Sequence, residues 1–152
     1  KGLRYMEAAV ISDSKQFLVF RLDKEEYGVD IQKVTTIIEK DMAIARVPKT
    51  PDFIEGVINL RGEIVPVMNL RKRFNLPAVE DTEDTRIIII KLEDLAIGLI
   101  VDSVAEVIHL SEDSIETISS FSAEVSLDYI LGVGKVDGRI VTLLNLEKLI
   151  KI

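Results

Sequence analysis

Thr50-Pro51-Asp52-Phe53-Ile54-Glu55-Gly56-Val57 returns 76 positions later as Ser126-Leu127-Asp128-Tyr129-Ile130-Leu131-Gly132-Val133. Hydroxyl, acid, aromatic ring, isoleucine and glycine recur in the same order. The likeness continues from Gly62-Glu63-Ile64-Val65 to Gly138-Arg139-Ile140-Val141, and from Asn69-Leu70 to Asn145-Leu146. Upstream the offset is 70: residues 16–30, with Tyr27-Gly28-Val29, correspond to residues 85–100, with Ile97-Gly98-Leu99. Leu22/Leu92, Gly28/Gly98 and Val34/Val104 coincide, and the change of offset marks a short insertion in the second copy. Two copies of a unit of about 60 residues fall short of a solenoid, which needs about three. The expectation is two similar subdomains packed as one protein, at about residues 16–75 and 86–150, the second packing with chain ends of the first.

Composition suits that reading. With 152 residues, 47% of them hydrophobic, the chain can form one ordinary domain or two small ones that lean on each other. Cysteine is absent, which excludes disulfides, thiolate nucleophiles and cysteine-based zinc sites, and makes an intracellular chain the simpler reading. Apolar runs such as Ile87-Ile88-Ile89-Ile90 have strand length, against about 18 residues for a membrane span, so the chain reads as soluble, without membrane insertion. A net charge of −7 opposes sequence-independent binding to nucleic acid, which needs a basic face. Arg71-Lys72-Arg73 is read as a solvated helix face rather than a phosphate site. Residues 1–15 lack a period and a signal-peptide core and are read as a flexible lead.

Alternation dominates the rest. Phe17, Val19 and Arg21 oppose Leu18, Phe20 and Leu22, and Asp23-Lys24-Glu25-Glu26 turns that strand back toward Tyr27. Residues 31–38 fit either a strand, by their β-branched content, or a helical turn, by the Ile31/Val34/Ile38 spacing; a helical turn feeding a strand is favoured. Thr50 as N-cap, Pro51 at the first helical position and Gly56 as a left-handed cap predict a short helix over residues 50–56, repeated over 126–132. Hairpins follow at 57–68 and 133–144, with glycine in the turns Arg61-Gly62 and Asp137-Gly138. Asn69 and Asn145 are read as N-caps of short helices, and residues 76–84 as the crossover. About five short strands per unit, without long βαβ crossovers, favour small closed barrels, a mainly β fold.

No catalytic or cofactor constellation emerges. His109 is the only histidine, no nucleophile-elbow sequence accompanies it, and Val107, Ile108 and Leu110 around it suggest the end of a strand. A structural or solvent-facing histidine is therefore favoured over a general base or phosphoacceptor. Clusters such as Glu112/Asp113/Glu116 are explained by solvation, and no Walker loop, dinucleotide fingerprint or calcium loop is present. The exception to blandness is Arg61, which stands where the other hairpin has Asp137, the residue that turn chemistry prefers. Arg61 is either an ordinary exposed turn residue or a flat, five-donor group that grips a partner.

Three motifs in order carry a family resemblance: Glu26-Tyr27-Gly28-Val29-Asp30-Ile31; the run from Thr50 through Gly56 to Asn59-Leu60-Arg61-Gly62; and Ile64-Val65-Pro66-Val67 before Asn69-Leu70-Arg71. Over about residues 16–150 the chain resembles the CheW family of bacterial chemotaxis coupling proteins. The resemblance implies a single CheW-like domain over 16–152, made of two SH3-like five-stranded β-barrels with a hydrophobic interface. It also implies a non-enzymatic, cytoplasmic adaptor without cofactors. Its partners would be the cytoplasmic tip of transmembrane chemoreceptors and the regulatory domain of the histidine kinase CheA, in membrane-associated arrays. The family's receptor-binding arginine falls on Arg61 and its interaction-sensitive valine on Val34; Gly56 matches a coupling position, and Asn59 lies beside the arginine. Where the family often has glutamate, two residues after the valine, this chain has Thr36. An excised regulatory domain of a chemotaxis kinase, or of a receiver-fused adaptor, is the alternative.

Overall fold

The computed structural model describes residues 14–117 and 127–151. Ten strands run in chain order: β1 (Ser14–Leu22), β2 (Glu25–Asp30), β3 (Val34–Glu39), β4 (Ile54–Leu60), β5 (Glu63–Asn69), β6 (Arg86–Leu92), β7 (Leu95–Val101), β8 (Ser103–Ser111), β9 (Ile130–Val136) and β10 (Arg139–Leu144). Two single-turn helices, α1 (Leu70–Arg73) and α2 (Leu146–Leu149), each follow an asparagine N-cap: Asn69 accepts from the Lys72 N–H and Asn145 from the Lys148 N–H. Of the expected lead, Ser14 and Lys15 already belong to β1, and the rest lies outside the described residues.

Sheet I has the order β8-β1-β2-β10-β9 and sheet II the order β3-β6-β7-β5-β4. Replacing each strand of sheet II by its repeat equivalent reproduces sheet I, so the internal repeat is structural. The boundaries expected from the sequence need correction, because the sheets do not follow the two halves. The β1–β2 hairpin of the first copy joins β8, β9 and β10 of the second, while β6–β7 of the second joins β3, β4 and β5 of the first. The repeats exchange their first hairpins. Parallel pairs, β2 with β10 and β5 with β7, and antiparallel pairs, β1 with β8 and β3 with β6, carry the exchange.

Neither sheet closes through a full ladder between its edge strands. Each is drawn round by one isolated bridge, Ala45 to Val57 in sheet II and Glu116 to Val133 in sheet I, each with two backbone hydrogen bonds of 2.8 and 2.9 Å. The result is a pair of SH3-like five-stranded barrels.

These bridges overturn the expected helix over residues 50–56. Strand β4 begins at Ile54, and Thr50 Oγ1 donates to the Val47 carbonyl instead of capping an N–H. Gly56 has φ +150° and serves the closure: a Cβ there would lie 2.1 Å from the Ala45 carbonyl oxygen. In the second copy a three-residue 3-10 turn, Leu127–Tyr129, leads into β9, and the expected cap Ser126 lies outside the described residues. The β-favouring run Phe53-Ile54 to Val57-Ile58 outweighed the capping signals. The ambiguous stretch after β2 is a 3-10 turn, Ile31–Lys33, capped by Asp30 and feeding β3.

Three cores follow from strand alternation. Phe17 and Val19 fill barrel I with Ile108, Leu110, Val141 and Leu143. Their repeat counterparts Ile87 and Ile89 fill barrel II with Ile58, Val65, Val67 and Ile100. The opposite phase, Leu18, Phe20 and Leu22 on β1 and Ile88 and Ile90 on β6, enters a larger core between the barrels with Met68, Phe74, Leu99, Leu144 and Leu149. Strands buried on both faces read as continuous apolar runs, which explains Ile87-Ile88-Ile89-Ile90. The barrels therefore share their main hydrophobic core.

Candidate functional site

The hairpin between β4 and β5 ends in Arg61 and Gly62, both at positive φ (53° and 85°), the sign pattern of a type I′ turn. The corresponding Asp137 and Gly138 have 49° and 80°. Asn59 ties the tip down, its Oδ1 accepting from the Gly62 N–H at 2.9 Å. Arg61 is exposed, and among the described residues its guanidinium has no ion-pair partner. Opposite Asn59 in the ladder stands Ile64, 62% exposed, in the outward phase of β5. Leu95, at the start of β7, is 47% exposed. An unpaired cation beside exposed aliphatic groups is a surface that can take a carboxylate and an apolar side chain together.

The other expected residues spread around this tip. Thr36 is half-buried on β3 opposite Ile89, after a bulge that separates it from Val34. Val34 opens β3, half-buried against the core between the barrels. Strands β3 and β4 are the two edges of sheet II and run antiparallel, as the Ala45–Val57 bridge shows. The start of β3 and the tip after β4 consequently lie toward the same end of barrel II. Gly56 is buried on β4, behind the surface, so its part is closure. Asn59 and Arg61 form one feature, and Val34 and Thr36 lie on the opposite edge.

Beside the start of β3 a cleft of about 220 Å³ opens between the barrels. Lys33, Leu92, Leu131 and Glu147 line it together with the buried Leu144 and Leu146. Leu131 is 47% exposed. Sequence reading passed over Ile64, Leu95 and Leu131, although the outward phase of β5, set by inward Val65 and Val67, marked Ile64.

The basic run on α1 is not the solvated face expected. Arg71 is 8% exposed and forms a two-pronged pair with Asp102, Nε to Oδ1 at 2.9 Å and Nη2 to Oδ2 at 2.7 Å. The same guanidinium donates to Asp23 Oδ1 and to the Pro77 carbonyl, each at 2.7 Å. Burial acts to raise the Asp102 pKa, but the Arg71 hydrogen bonds, the Asp23 N–H and the Arg71 charge outweigh it and hold it below the usual carboxylate value. Arg73 lies over Phe53 and Tyr129, 4.3 and 4.7 Å from the ring centroids, and donates to the Leu149 and Lys151 carbonyls. Arg73 and Lys72 are both half-buried, and Lys72 lies 3.3 Å from Glu55.

His109 is exposed on β8, and its Nε2 accepts from the Gln16 amide nitrogen at 2.6 Å across the β1–β8 pair. This contact joins neighbouring strands and orients no nucleophile. Among the described residues no helix is long and apolar enough to cross a membrane.

Comparison with known proteins agrees with this architecture. The profile of the CheW-like domain matches residues 16–152. The chemotaxis protein CheW of Klebsiella aerogenes is 38% identical over 136 residues, 90% of this chain and 81% of that protein. CheW of Bacillus subtilis is 44% identical over 109 residues, 72% of this chain and 69% of its own length. The crystal structure of the scaffolding protein TtCheW from Thermoanaerobacter tengcongensis superposes with a TM-score of 0.82 at 40% identity, over 91% of this chain and 88% of that one. With its exchanged hairpins, paired barrels and arginine-tipped turn, this chain belongs to the CheW-like family of chemotaxis scaffold proteins.

Proposed function

We propose that the protein is a non-enzymatic, cytoplasmic adaptor that couples the cytoplasmic tips of chemoreceptors to the histidine kinase CheA in membrane-associated arrays. The observation that carries the receptor half is Arg61. Its backbone is held in a left-handed conformation, costing roughly 1–2 kcal/mol for a residue with a Cβ, although the equivalent turn uses the more tolerant aspartate. Strain kept at an exposed tip, next to Asn59 and outward-facing Ile64, supports a recognition role. Val34 and Thr36, beside the cleft at Leu92 and Leu131, extend the receptor surface, while Gly56 keeps the barrel edge closed beneath it.

The kinase half rests on the repeat. Ile64 and Ile140 occupy equivalent positions on the two barrels and are 62% and 60% exposed. Outward isoleucines on like modules suit pairing with the CheW-like regulatory domain of the kinase, through apolar barrel ends with polar rims. Reconstitution of receptor tip, kinase and this protein tests the reading. Kinase activity should change only when all three are present, and the protein alone should turn over nothing. Absence of receptor-dependent kinase control in the complete mixture would overturn it.

A further inference from the structure

The repeat relates two clefts, one beside Asn69 and one beside Asn145, and they differ. One, of about 250 Å³, is lined by Arg71, Asp102, Ile100 and the crossover residues Val79 to Thr82. The other is the 220 Å³ cleft at Leu92 and Leu131. On the first side Asp23 comes from the β1–β2 turn of barrel I, Arg71 from α1 in barrel II, and Asp102 from the link between β7 of barrel II and β8 of barrel I, its N–H donating to the Arg21 carbonyl of β1 at 3.1 Å. The backbone N–H of Asp23 also donates to Asp102 Oδ2, at 2.8 Å. The guanidinium thus fastens α1 of barrel II to the β1–β2 turn of barrel I and to the link that runs between the barrels.

On the second side the same three positions hold Glu93, Glu147 and Gln32. Glu93 shares the left-handed turn conformation of Asp23, with φ 54° against 60°. Two carboxylates and an amide cannot make the lock that an arginine between two aspartates makes, and Glu147 is exposed and forms no ion pair among the described residues. The three-residue lock on one side of the repeat axis has no counterpart at the equivalent positions on the other.

We infer that Arg71 is a positioning residue: its cross-barrel pairing with Asp102 and Asp23 fixes the angle between the barrels and so sets the width of the cleft at Leu92 and Leu131. The functional consequence rests on reading that cleft as part of the receptor surface. Arg71 lies across the repeat axis from it, so its effect travels through the rigid barrels.

The chain has no cysteine, so Lys91→Cys on β6 and Lys135→Cys on β9 place one spin label on each barrel at exposed positions. In the full chain without receptor, Arg71→Met should shift or broaden the label-to-label distance by about 2 Å. Arg139→Met, which among the described residues removes ion pairs with Glu26 and Glu106 inside sheet I, should leave it unchanged. Binding of the receptor tip should weaken roughly tenfold in Arg71→Met and stay near the parent value in Arg139→Met. An unchanged distance in folded Arg71→Met overturns the positioning role, and a changed distance with unchanged receptor affinity overturns its link to the cleft. Failure of the receptor reading itself is separate, because the parent protein would then not bind the tip at all. If Arg71→Met does not fold, Asp102→Asn and Asp23→Asn carry the same distance test, with the smaller shift expected for the more exposed Asp23.

Discussion

At φ 53° Arg61 occupies a conformation that asparagine and glycine adopt at much lower cost. Arg61→Asn should therefore stabilise the protein, by up to about 1 kcal/mol in denaturant unfolding, and Arg61→Ala should move stability by about 0.5 kcal/mol or less. Both should weaken receptor-tip binding by roughly 2 kcal/mol in a titration, because a charged contact is lost. Receptor binding at parent strength in either variant would remove Arg61 from the interface. Gly62→Ala, at φ 85°, should cost about 1 kcal/mol or more, because its Cβ is disfavoured there whatever the space around it. A different residue contributes to acid stability. Asp102 has a folded-state pKa depressed below its ordinary 3.8. Its contribution is therefore complete above the unfolded pKa and lost as pH falls through the lower, folded value. Stability should fall below about pH 4, and Asp102→Asn should flatten that part of the profile, read as thermal midpoint against pH. None of this was legible in Arg71-Lys72-Arg73 alone, since the partners of Arg71 stand 31 and 48 positions away.

Among the elements, the hairpins, their glycine turns and the asparagine caps were written in the local sequence, because each depends on two to four adjacent residues. The expected helix at 50–56 was not there, and the reason is chemical. Proline, a hydroxyl residue and glycine mark a helix end and a tight backbone approach alike, and only the distant Ala45 decides between them. Gly56→Ala tests this directly. With the Cβ 2.1 Å from the Ala45 carbonyl, the bridge must break or β4 must shift, at a cost of about 3 kcal/mol or more. Amide exchange at Ala45 and Val57 should accelerate together, while protection in β1 and β8 stays. A helix cap at that position would instead leave both amides as they are.

For the molecule as a whole, the repeat predicted two like barrels but could not assign strands to them. Residues 16–22 and 86–92 carry the same alternation and face equivalent partners, so a hairpin satisfies either sheet in the same register. Only the assembled structure shows that each copy lends its hairpin to the other. Cutting the chain at a protease site introduced within exposed residues 77–84 should therefore leave two fragments that co-elute on size exclusion and part only in denaturant. Fragments that separated in buffer would contradict the exchange.

The exchange also sets an order of events during synthesis. Barrel II takes its five strands from one continuous stretch, residues 34–101, whereas β2 of barrel I pairs with β10, Tyr27 facing Thr142 across 115 positions of chain. At ribosomal speeds that separation corresponds to roughly 10 seconds during which β1–β2 has emerged without its final neighbours. Phe17 and Val19 have no barrel to enter until β8 and β10 arrive, while Leu18 and Phe20 can already settle on the finished barrel II. The nascent protein therefore folds from its middle outward, and its N-terminal hairpin is the segment most in need of a chaperone's cover.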